Sequence, residues 1–337
     1  MKARRFPEID AIKGVGVIAM ILLHSFVWWY VERDYGTTNP SRDFIESIFF
    51  LKVVGVLVFL IPVAAGFTFY HYFMKRAKAG QGRESLGFLL WRCGSLFVLG
   101  YAVNLLAWGG QEWMAWDVLQ FFAVGFAVLG ALSFFPFPAT IAATALVAIA
   151  TPLLRGLWGA ASDSYGIIIL VGNESGTQYW PFFPWFILLG GGAIAAYLYE
   201  NLPKKRRGAL ILGSAFLCAV FMVSGVFFVG GDPTNAWGPL IFLPPVWTVL
   251  GIVSAFIFAL FSLRKLDVVI SPSGFLGVMS RGILWIYAVH IIIGYRLSGA
   301  MKGMGLGMGG PFALFFILLM TGYLVGRVVA VIRDAKG

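Results

Sequence analysis

The chain has 337 residues, of which 60% are hydrophobic and 12% charged, and its formal net charge is +10. Soluble domains carry about twice that charged fraction, so the composition excludes every class but a polytopic membrane protein. The two cysteines, Cys93 and Cys218, both lie inside apolar runs, which argues against a disulfide framework or a cysteine metal site.

The first apolar run, residues 11–31, follows the basic opening MKARRFPEID. It is too long for a signal-peptide core and has no small-residue cleavage site, so it reads as a retained membrane helix. A spanning helix needs about 20 apolar residues. Further candidates follow at 47–73, 86–108, 114–134, 138–155, 179–199, 208–229, 239–263, 276–297 and 311–332. The run at 138–155 is short, and only FPFP separates it from its predecessor. No internal repeat is visible. The expected fold is an all-α polytopic membrane protein of about ten transmembrane helices, with residues 1–337 as a single domain.

Basic residues between spans set the orientation. With a cytoplasmic N-terminus, the inside segments hold Lys2, Arg4 and Arg5, then Lys75, Arg76, Lys78 and Arg83, then Lys204 to Arg207, then Arg264 and Lys265, then Arg333 and Lys336. The outside segments hold only Arg33, Arg42, Arg155 and Lys302. This asymmetry predicts an even number of spans with both termini cytoplasmic, and it accounts for the basic balance without nucleic acid. The longest outside segments are 32–46 and 156–178. Trp28, Trp29, Tyr30, Trp113, Trp116, Tyr179 and Trp180 fall at outer helix ends, the pattern of an aromatic interface belt.

Ionisable groups in hydrocarbon cost several kcal/mol unless paired or hydrated. Lys13, Arg92, Arg281 and Arg327 fall near the inner face, with no acid expected at that depth. His24, Lys52, Asn104, Asp117, His290 and Arg296 fall nearer the outer face. His71 falls at an inner helix end and reads as interfacial. Lys13 and His24 are eleven positions apart in the first run. At 100° per residue they share a helix face, about 16 Å apart along the axis. A long substrate with an anionic head could meet Lys13 with its phosphates and His24 with its uncharged tail.

The stretch FPEIDAIKGVGVIAMILLH resembles the opening of the transmembrane acyltransferase superfamily, which includes the acyltransferase-3 and heparan-α-glucosaminide N-acetyltransferase-like proteins. Asp10, Lys13, Gly14 and His24 match the acyltransferase-3 pattern in order and spacing. FLIPVAAGFTFYHYFMKR, LLWRCGSLFVLGYAVN, WDVLQFFAVGFA, FPWFILLGGGAIAA and SRGILWIYAVHIIIGYRL are similar to later helices of these proteins. KRAK at 75–78 and Arg92 stand nearest to the acyltransferase-3 Arg-x-x-Arg element. The glucosaminide branch has an asparagine at the position of His24.

The resemblance implies an acyl-CoA-dependent acyltransferase in the plasma membrane. Acetyl-CoA would be the co-substrate, with no metal, and the acceptor would be a small molecule or lipid-linked group on the extracytoplasmic side. It implies His24 as the catalytic base; on that reading the layering of charges gives Asp117 as its aid and Lys13, Arg92, Arg281 and Arg327 as the residues that bind acyl-CoA. Lys52, Asn104, Arg296 and His290 would serve the acceptor or the oxyanion. The residues leave two other readings open. One is a transporter for an anionic solute, with helices broken at Gly190–Gly192 and at PPVW. The other is a non-catalytic subunit of a larger membrane complex. Membrane lipid is the expected surrounding, and a homodimer or larger assembly stays open.

Overall fold

The computed structural model describes residues 5–30, 48–77, 82–110, 113–158, 165–172, 180–227, 244–302, 304–307 and 309–335. The regular structure among them is helical: α1 (Pro7–Tyr30), α2 (Ile48–Phe69), α3 (Gly82–Trp108), α4 (Val118–Leu132), α5 (Phe137–Trp158), α6 (Tyr165–Val171), α7 (Phe182–Asn201), α8 (Lys204–Phe227), α9 (Val246–Lys265), α10 (Phe275–Lys302) and α11 (Gly309–Asp334). α2 runs on without a break into a π-helical turn, Tyr70–Met74.

Each of the ten expected spans falls on one of these helices. Eight of the helices are long and apolar enough to cross a membrane. α4 is apolar but has only 15 residues, about 22 Å at 1.5 Å per residue against a hydrocarbon core of about 30 Å. α8 opens on four successive basic residues, Lys204 to Arg207. The loop expected at 156–178 holds the short helix α6. The loop at 32–46 and the Tyr179 position lie outside the described residues.

The chain divides into two compact units. Unit 1 comprises 1–61, 103–110 and 262–337, and unit 2 comprises 62–102 and 111–261.

In unit 1, α1, α10 and α11 pack together. Asp10 meets Ser280 and His24 meets His290. The order is the same along both helices, so α1 and α10 run parallel. Arg281 meets Asp334, while Gly294 lies beside Leu318, so α10 and α11 run antiparallel. Small residues let the axes approach: a Cβ on Gly282 would stand 2.7 Å from the Cα of Gly326, and one on Gly14 would stand 2.7 Å from the Leu276 carbonyl oxygen. Hydrocarbon gives no hydrophobic drive between helices, so such close contact is the main source of association. Phe26, Trp29, Ile21, Ile286, Leu314 and Leu318 fill the core.

In unit 2, α7 is almost wholly buried from Pro184 to Ala196. Gly190, Gly191 and Gly192 do not break it. A Cβ at each would collide with Thr144, the Val253 side chain and the Val63 carbonyl respectively. The triplet, which the transporter alternative would have as a break, is therefore a packing surface in an unbroken stretch of α7, whose non-helical residue is Phe183. The outward faces of α3, α5 and α8 carry Trp91, Leu146 and Leu212, all strongly exposed. That is the surface expected of helices in lipid.

Candidate functional site

His24 and His290 are brought together across α1 and α10. Nδ1 of His24 lies 2.8 Å from Nε2 of His290. The two rings lie edge to edge in nearly one plane, with centroids 5.1 Å apart and planes 16° apart. Trp28, one turn on from His24, stacks on the His24 ring at 5.0 Å and 18°. It also leans against His290 at 5.9 Å, while Tyr287 meets His290 edge-on at 5.6 Å. His290 is 1% exposed and His24 is partly buried. The helix spacing explains the stack, because positions four apart lie on one face. A Cβ on Gly294 would strike the Trp28 ring, so Gly294 is what allows the indole to lie there.

The aromatic belt is corrected at this point. Trp28 and Trp29 are buried inside unit 1, and Trp116 is buried inside unit 2. The indole N–H of Trp116 donates to the carbonyl of Trp180 at 2.7 Å. Trp113 is exposed, as a belt residue would be. The side chains of Tyr30 and Tyr179 lie outside the described residues.

Lys13 stands three turns before His24 on α1 and is partly buried. Its charged neighbours are Asp10 and Arg333. Asp10 accepts from the Ser280 hydroxyl at 2.8 Å and from the Arg5 guanidinium. The Arg281 guanidinium donates to the Asp334 carboxylate, and Arg333 donates to the backbone carbonyl of Arg281 at 2.9 Å. The purely cationic layer expected here is thus mixed. Asp10 and Asp334 lie near the ends of α1 and α11, just outside the apolar runs 11–31 and 311–332. Arg333, counted as a loop charge, belongs to the same group.

The other candidates distribute unevenly. Asn104 is 1% exposed in unit 1. Arg296 donates to the Leu106 carbonyl at 3.2 Å in the same unit. Arg327 and Arg92 are exposed, and the Arg92 guanidinium sits 4.9 Å over the Phe88 ring. Asp117 belongs to unit 2 and caps α4. Its carboxylate accepts from the Val118 N–H at 2.7 Å, and the Gln120 side chain accepts from the Asp117 N–H at 3.3 Å. This reciprocal capping box satisfies helix donors. The Lys52 side chain lies outside the described residues.

Sequence reading missed two polar groups in unit 2. Glu200 at the end of α7 accepts from Lys75 at 2.7 Å and lies 3.2 Å from Nδ1 of His71. His71 sits on the π-helical turn, its side chain largely covered beside Glu200. His71 and Glu200 lie on different helices far apart in the sequence, so helical spacing could not have paired them. Arg155, read as a loop charge, donates to the carbonyls of Pro244 at 2.9 Å, Val171 at 3.4 Å and Phe183 at 3.5 Å. It ties the ends of three segments together.

In chemical terms, the His24–His290 pair is a buried nitrogen base held in a fixed orientation. The Lys13 cluster, three turns away, offers cations to an anionic group. Residues 5–227 match the family model described as heparan-alpha-glucosaminide N-acetyltransferase, catalytic. No curated protein matches the chain. The matched stretch runs from before α1 through α8 and contains Lys13 and His24, while Arg281, His290 and Arg333 lie beyond it.

Proposed function

Because the chain belongs to the heparan-alpha-glucosaminide N-acetyltransferase catalytic family, we propose that it transfers an acetyl or related acyl group from cytosolic acyl-CoA to a hydroxyl or amine on the far side of the membrane. The protein is a multi-pass membrane protein of an acetyltransferase family. In this reading both termini are cytoplasmic, the plasma membrane is the host, and the acceptor is a sugar or a lipid-linked group.

The observation that carries the reading is the 2.8 Å bond between His24 and His290 on a helix that also bears Lys13. Lys13, with Arg281 and Arg333, attracts the phosphates of acyl-CoA by charge-assisted contacts. The arm of the substrate follows the face of α1 towards His24 over about 16 Å. His24 takes the proton of the acceptor as its oxygen or nitrogen attacks the thioester carbonyl, a role worth about 10²–10⁴ in rate. Holding both reactants in one membrane site supplies a further share of the acceleration.

The transporter reading rested partly on a helix broken at Gly190–Gly192, and α7 is unbroken at those positions, its one non-helical residue being Phe183. To test the proposal, inverted membrane vesicles containing the protein are given radiolabelled acetyl-CoA on the outside. The expected result is label in a lumenal, chemically extractable acceptor together with free CoA outside. Uptake of intact label without free CoA would instead identify a transporter.

A further inference from the structure

Each ring nitrogen of His290 has a polar neighbour, and together they decide the protonation of both rings. Its Nδ1 lies 3.0 Å from the carbonyl oxygen of Ile286, one turn earlier on α10. A carbonyl only accepts, so this Nδ1 carries the hydrogen. A neutral imidazole has one ring hydrogen, so Nε2 of His290 presents a lone pair. That lone pair lies 2.8 Å from Nδ1 of His24, so His24 Nδ1–H donates to it. The remaining nitrogen of His24, Nε2, is then left with its lone pair free of this relay.

We propose that His290 is a positioning residue: held by the Ile286 carbonyl and hydrogen-bonded to His24, it fixes the tautomer that leaves Nε2 of His24 as the base. This inference rests on the acyl-transfer reading for its purpose, though the tautomer itself can be observed without turnover. Which ring nitrogen is basic is set by what the other one bonds. The Trp28 ring, stacked on His24, holds the imidazole plane so that Nε2 keeps one direction.

The step balances. The acceptor O–H or N–H passes its proton to His24 Nε2 while its heteroatom bonds to the thioester carbonyl carbon. The tetrahedral adduct then collapses, the C–S bond breaks, and the same proton goes from Nε2 to the leaving thiolate. His24 ends neutral, and its Nδ1–H bond to His290 stays in place throughout. While His24 is charged, that bond becomes charge-assisted and strengthens. A carboxylate would also serve as partner, but it would bring a second ion into a buried site, where each ion costs several kcal/mol. A neutral imidazole gives the orientation without that burden.

The chain has three histidines, so nitrogen-15 labelling of histidine gives a spectrum simple enough to assign with one variant per residue. Near pH 8, where an unperturbed imidazole is neutral, His24 is expected to show a protonated Nδ1 and an unprotonated Nε2. Two variants separate the bond from the ring. His290→Gln keeps an acceptor near the position of Nε2, whereas His290→Phe keeps an aromatic surface and removes the acceptor. His290→Gln is expected to preserve the His24 tautomer and stay within about tenfold of wild-type turnover. His290→Phe is expected to lose the tautomer preference and about 10²–10³ of kcat, the range of a general-base contribution, with KM for acetyl-CoA nearly unchanged. A wild-type His24 protonated on Nε2, or a His290→Phe protein that folds and turns over normally, would overturn the proposal. The expected tautomer in a protein that releases no CoA would uphold the positioning role and sink the acyl-transfer reading instead.

Discussion

α1 meets α10 in unit 1 through polar side chains, at Asp10–Ser280 and His24–His290. α2 meets α7 in unit 2 through bare backbone. There, a Cβ on Gly66 would strike the Leu189 carbonyl and one on Gly192 the Val63 carbonyl. Both crossings use close glycine contact, Gly14 against the Leu276 carbonyl in the first, but only the first adds polar side chains. Glycine contact gains dispersion and carries no chemistry. A pair of imidazoles contributes less to association and is costly to bury, so its presence in an apolar helix pair points to function. On the proposed function unit 1 holds the chemistry, while unit 2 contains a close-packed helix with a charged group at one end.

Four substitutions sharpen or break that contrast, and the largest effect belongs to His24. His24→Ala should lower acyl-transfer turnover by about 10²–10⁴ while acetyl-CoA binding by titration calorimetry stays close to wild type. Next comes Gly192→Leu. Overpacking typically costs about 1–3 kcal/mol, and backbone on the facing side has little room to yield. The expected result is a large drop in folded yield on size-exclusion chromatography. If the variant folds and melts like wild type, the glycine-packed account of α2 and α7 is wrong.

Lys13→Ala should weaken acetyl-CoA binding about tenfold, within the range of a hydrogen bond to a charged group, and leave kcat nearly unchanged. A loss confined to kcat would place Lys13 in the chemistry instead. Glu200→Gln should have the smallest effect. It removes the carboxylate shared by Lys75 and His71. Because Lys75 is half-exposed, the loss should be about 1 kcal/mol or less, seen as a small fall in melting temperature with turnover retained.

The helices were legible because lipid demands long apolar runs, and each expected run falls on one. His24 was legible for the same reason, as a polar group standing out in an apolar helix. Its partnership with His290 was not, because 266 residues separate them and nothing local records which helices become neighbours. Gly190–Gly192 left the transporter alternative open because a glycine run looks the same whether it breaks a helix or lets another approach. The partners of Asp10 and Asp334 were not legible because acids at helix ends are usually solvated, and only the fold shows them against Ser280 and Arg281. The tryptophans at 28, 29 and 116 fit a belt by position, yet their rings turn inward onto His24, Gly310 and the Trp180 carbonyl.

The most direct measurement is thiol release from acetyl-CoA by the purified protein in detergent, with a simple amino sugar as acceptor and His24→Ala beside wild type. The result expected is free CoA from wild type that rises with acceptor concentration, and almost none from His24→Ala despite unchanged acetyl-CoA binding. Equal release from both proteins would contradict the role given to His24. Failure of wild type to bind acetyl-CoA at micromolar concentration would contradict acyl transfer by this chain altogether.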